Sequence, residues 1–143
     1  MPTVRTLHDE AMTWANKAMV CYHTGDILTS RQYSSKAYPL ERQAAFLVPY
    51  ERKSEPTRSI LFLSAATLAG SCFCFEDALV LIDEGLRGWP FPKIKEELLQ
   101  LKEKVTADLL VKKAKEKEKT EEIIKARSEV INFARQLLKD DKE

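Results

Sequence analysis

Four side chains of the types that bind zinc occur in two short pairs, Cys21-x-His23 and Cys72-x-Cys74. Zinc takes four such ligands in a tetrahedron. Residues two apart on a helix are turned by about 200° from each other, so each pair would diverge rather than converge on an ion. The expectation is three free thiols, no metal and no cofactor. His8-Asp9-Glu10 joins acid and base residue types. Consecutive helical residues face different sides, so the reading is a solvated first turn. The chain has no nucleophile elbow, glycine-rich phosphate loop or HExxH motif. No catalytic residue is assigned, and the protein is read as a non-enzyme.

Two basic groupings could touch phosphates. Arg31, Lys36, Arg42, Arg52, Lys53 and Arg58 are interleaved with Tyr33, Tyr38 and Tyr50, the types that neutralise a backbone and stack on bases. The run from Lys112 to Lys119 carries five lysines and two glutamates. However, Lys117–Glu121 and Glu121–Lys125 stand at the spacing of helical ion pairs. With 23 Lys+Arg against 22 Asp+Glu, no bulk charge draws the chain to nucleic acid or acidic membranes. Both groupings are read as solvated helix faces. Nucleic acid is not the expected partner, though a nucleic-acid-associated accessory or antitoxin-like regulator is the alternative reading.

The last grouping is apolar: Ile123, Ile124, Val130, Ile131, Phe133, Leu137 and Leu138. Steps near seven suit helix-to-helix packing. These seven are assigned as partner-binding. They meet a protein partner, form a homodimer through the C-terminal helix, or fold back on their own chain after a hinge in the lysine–glutamate run. In that last case Thr120 could cap a new helix.

The elements that would carry these residues are all helical. Apolar residues recur at steps of three and four, and strands are hard to find. With 4 Gly and 6 Pro in 143 residues, a multi-turn β architecture is excluded. Gly25, Pro56 and the stretch Gly88-Trp89-Pro90-Phe91-Pro92 punctuate the chain. Helices are expected over 6–23, 27–52 with a kink or break at Pro39, 56–69 and 75–86. A long charged helix follows Pro92, because no Gly or Pro comes after it. Trp14, Ala18, Phe62, Ala66, Phe75, Ala78 and Ile82 are the expected core. Tyr33, Ala37, Leu40, Ala44 and Leu47 are expected to share one face of the second helix.

Two segments share punctuation. Trp14, Ala18, Gly25-Asp26, Ser30 and Ala37 form one series, and Phe62, Ala66, Phe75, Ala78, Gly85 and Pro90 the other. Both series resemble the tetratricopeptide repeat (TPR). The second hairpin has Phe73 where the pattern has Gly, and Cys21 and Ala69 stand where an aromatic is usual. Trp14 and Phe62 are 48 residues apart, against a usual period of about 34. The resemblance implies TPR-like antiparallel hairpins in a right-handed stack over 1–110, with 111–143 as a charged helical extension. It also implies an adaptor that binds proteins on a helical-repeat surface. The Lys/Asn clamp of the carboxylate-binding subclass is absent, since Ala15, Met19, Leu63 and Thr67 occupy those places.

The N-terminus does not read as a signal peptide, and the apolar run 60–70 is too short to span a bilayer. A cytoplasmic protein with no membrane partner is expected. Elemental analysis of the purified protein should find no stoichiometric zinc. A zinc that disappears on changing Cys72 or Cys74 would refute the ligand-geometry argument.

Overall fold

The computed structural model describes residues 1–141. They form α1 (Val4–His23), α2 (Ile27–Leu47), α3 (Thr57–Ser71), α4 (Phe75–Arg87) and α5 (Pro92–Asp140). A single 3-10 turn covers Arg52–Ser54, and there is no strand among the described residues. The chain is all-α, as its periodicity requires. It divides into two compact units, Met1–Asp108 and Leu109–Glu143.

Local chemistry sets the boundaries. Thr3 and Thr6 form a reciprocal cap: Thr6 N donates to Thr3 Oγ1 at 3.2 Å and Thr3 N to Thr6 Oγ1 at 2.9 Å. This satisfies amides that a helix start leaves without partners, so α1 begins before residue 6. Pro39 does not break α2. The missing amide costs a bond to the Ser35 carbonyl, but both residues face solvent, where water can replace it. α2 ends at Leu47 rather than near residue 52, because Pro49 pushes Val48 to an extended backbone (φ −71°, ψ 128°).

The two helix pairs turn in the same way. After α1, Gly25 N donates to Tyr22 O and Asp26 N to Cys21 O, at 3.1 and 2.9 Å. After α3, Phe73 N donates to Gly70 O and Cys74 N to Ala69 O, at the same distances. Both are Schellman turns with a left-handed residue at the centre: Gly25 at φ 86° and Phe73 at φ 65°. A phenylalanine there is strained. Its ring is held by stacking on Phe75 at 5.4 Å and by the Arg31 guanidinium 3.8 Å above it.

The first unit packs in sequence order, α1 on α2, α2 on α3 and α3 on α4. Leu98 and Val105 of α5 are buried in the same unit, Leu98 against Gly85 and Val105 near Gly70. Alanine supplies most of the buried apolar positions in α1 and α2: Ala11, Ala18, Ala37, Ala44 and Ala45. Small side chains there let the helix backbones approach closely.

Six of the expected core residues are buried, but Trp14 is only half-buried. The indole is too large for a seam built on Ala11 and Ala18. It lies on Tyr33, ring centres 5.8 Å apart, with the ammoniums of Lys17 and Lys36 at 4.7 and 4.6 Å. The expected face of α2 is also rotated. Ser30, Ser34, Ala37, Glu41, Ala44 and Ala45 are buried, Tyr33 and Leu40 half-buried, and Leu47 exposed. α2 must serve α1 and α3 at once, so polar residues that bond across a helix pair displace larger apolar ones. Ser30 Oγ does this by donating to Ala18 O at 2.8 Å.

Because Ala66 is fully buried, Ala66→Leu should destabilise the protein by about 1–3 kcal/mol through overpacking. Denaturant titration measures this, and an unchanged midpoint would show that the α3 seam has room.

Candidate functional site

Glu41 is a fully buried carboxyl reached from two sides. His8 Nδ1 lies 2.8 and 3.1 Å from its two oxygens, and Ser64 Oγ donates to Oε2 at 2.7 Å. The three residues come from α1, α2 and α3. His8 is therefore not part of a simply solvated first turn, as its neighbours suggested. Serine, histidine and an acid stand together, but the hydroxyl bonds to the acid and not to the imidazole. A serine nucleophile needs the base beside its hydroxyl, so the geometry is that of a three-helix clamp.

A second cluster gathers where α2 ends. The Arg58 side chain is buried, contrary to its expected place on a solvated helix face. Its Nη1 donates to Glu84 O at 3.0 Å and its Nη2 to Glu84 Oε2 at 3.3 Å. The guanidinium lies over Tyr50 and Phe62, at 4.8 and 4.7 Å. Arg87 shares Glu84 Oε2 at 3.0 Å and covers Tyr50 at 4.2 Å. Tyr50 stacks on Trp89, ring centres 5.0 Å apart, and its hydroxyl donates to Arg87 O. Gly88 makes room for this: a Cβ there would lie 2.5 Å from Arg58 Nη1.

The cluster borders a cleft of about 280 Å³ lined by residues 45–50, Arg58, Phe62, Glu84 and Arg87. The volume is at the small end for a ligand pocket. Glu84 already engages both arginines, so the cleft is poorly suited to an anion. Phe46 and Leu47 are exposed beside it.

The other cations are also engaged. Arg42 lies over Phe46 at 4.9 Å and Arg52 over Trp89 at 5.6 Å. Tyr38 donates to Asp77 Oδ2 at 2.7 Å. Burial, then that bond, pushes its phenol up to about 12. Its hydroxyl links α2 to α4.

The three cysteines are half-buried thiols. Cys72 Sγ lies 3.4 Å from Cys74 Sγ. Burial first, and the Cys74 hydrogen bond second, raise the Cys72 thiol to about 12, which keeps it protonated. Among the described residues, no group of three or more His, Cys, Asp or Glu is placed to hold a metal ion.

The apolar C-terminal grouping lies in the second unit. The helix runs unbroken through 112–122, so the chain has no hinge there. Thr120 is no cap: its hydroxyl donates to Glu116 O at 2.8 Å inside the helix. Every residue from Leu110 to Asp141 is exposed. The seven assigned residues are 40–67% exposed. At about 100° per residue, six of them share one face with Ala134. Phe133 does not: it is turned by about 100° from Ala134 and stands outside the stripe.

No protein-family model matches this chain, and neither does any curated protein or solved structure. No helix among the described residues is long and apolar enough to cross a membrane.

The Glu41 clamp had a signal in the sequence. Glu41 stands four residues after Ala37 and three before Ala44, a charged residue in an apolar register. Glu41→Ala should cost about 1–3 kcal/mol by leaving part-buried Ser64 and partly exposed His8 without their partner. Glu41→Gln, which keeps shape and one acceptor, should cost less. Thermal and denaturant unfolding of the two variants measures the difference.

Proposed function

We propose that the protein is a non-enzymatic interaction module, an adaptor that holds a protein partner through its C-terminal helix, with the helical-repeat surface as a second contact. The observation that carries this reading is the exposed stripe of Ile123, Ile124, Val130, Ile131, Leu137 and Leu138. Burying one Leu or Ile is worth about 1.5–3 kcal/mol. Six on one helical face forfeit that energy unless another surface covers them, and contiguous exposed apolar area of this kind marks interaction sites. The TPR-like punctuation supports the same class of function. So does the first unit, whose buried acid and arginine bond to other residues of the protein. The reading of a nucleic-acid accessory loses support because Arg58 is buried and Arg31, Arg42 and Arg52 lie on aromatic rings of the protein itself.

Light scattering on the full chain and on a version ending at Val111 tests the reading. The full chain should assemble, with itself or with a partner. The truncated chain should not, and its melting temperature should be unchanged. A full-length monomer whose truncation lowers the melting temperature would mean that the apolar end serves the protein's own fold.

A further inference from the structure

Resting on that reading of the C-terminal helix, we infer that its partner is a second copy of this chain, paired antiparallel about Glu129. The argument is one of register. Ile124, Ile131 and Leu138 recur every seven residues and mark one seam position. Thr120, Arg127, Ala134 and Asp141 fall at the other seam position, three residues on. Ile123, Val130 and Leu137 flank the seam on one side, and Glu121, Ser128 and Arg135 on the other. All are exposed.

A parallel, in-register pair would bring like charges together. Arg127 would meet Arg127 of the second copy inside the seam, and Lys117 would meet Lys117 one heptad earlier. Each parallel flank would also set an apolar residue against a polar one, such as Val130 against Arg135. Like charges facing each other across an interface oppose association.

Reversing one helix about Glu129 removes each conflict. Arg127 then faces Ile131 of the second copy, where its stem packs and its guanidinium reaches water. Lys117 faces Asp141. Ile123 faces Leu137, and Val130 faces its own copy. On the other flank Glu121 faces Arg135, and symmetry makes that ion pair twice. An isologous two-fold contact is self-complementary in this way. The paired span about Glu129 runs from Lys117 to Asp141, so Lys112 to Glu116 of the lysine-rich run stay outside it.

Sedimentation equilibrium on the full chain tests the pairing. The unaltered protein should be a dimer. Glu121→Arg alone and Arg135→Glu alone should each weaken dimerisation by roughly tenfold. The two together should restore it, because the ion pair is rebuilt with its ends exchanged. Both residues are exposed, and circular dichroism checks that helicity is retained. A dimer whose double variant stays as weak as the single ones overturns the antiparallel register while leaving the interaction reading intact. A chain that remains monomeric overturns self-pairing, and the truncation at Val111 with a foreign partner then decides the broader reading by itself.

Discussion

The Glu41 carboxyl is the constraint around which the first unit is arranged. A carboxyl without solvent must be supplied with donors, because an unpaired buried group costs several kcal/mol. Ser64 donates to the carboxyl and His8 Nδ1 bonds to it, each from another helix. The contact is directional, so it sets the rotation of α1, α2 and α3 about their axes as well as their proximity. Small side chains make it reachable. Ala11, Ala37, Ala44 and Ala65 are fully buried in the same helices, and they bring the backbones near enough for short polar side chains to touch.

The two turns show a second constraint, one of backbone geometry. Both connections need a left-handed residue to close the same pair of hydrogen bonds. Glycine meets the need freely in one. In the other, phenylalanine adopts the conformation, and its ring is used to join Phe75 and Arg31. The same economy recurs in the cations. Arg58, Arg87 and Arg52 cover rings near the end of α2, with Glu84 offsetting two of them. Of these cations only Arg58 is buried; Arg52 and Arg87 lie on rings at the exposed surface.

The second unit follows the opposite logic. Residues 109–140 have helical propensity, no breaker and no buried side chain. Its charges keep most of the helix compatible with water, and the apolar stripe is confined to the last turns. Helix formation and burial are separated there: the helix is complete while its apolar side chains stay exposed.

Much of this was decided by the sequence alone. The all-α class follows from apolar spacing and from scarce Gly and Pro, since a helix needs only its own backbone bonds and a repeating face. The turn at Gly25 and the helix starts at Pro56 and Pro92 follow from the dihedrals those residues allow. The apolar stripe after Ile123 is a local periodicity, visible without any neighbour. The partners of Glu41, the burial of Arg58 and Ser34, the half-exposure of Trp14 and the positive φ of Phe73 were not visible in this way. Each depends on which other helix lies against the residue. A charged side chain reads as solvated until a hydrogen-bond partner from a distant segment, such as His8 for Glu41 or Glu84 for Arg58, is brought within bonding distance. Only the tertiary structure sets that distance, because hydrogen bonds and packing act over a few ångströms in space and not along the chain.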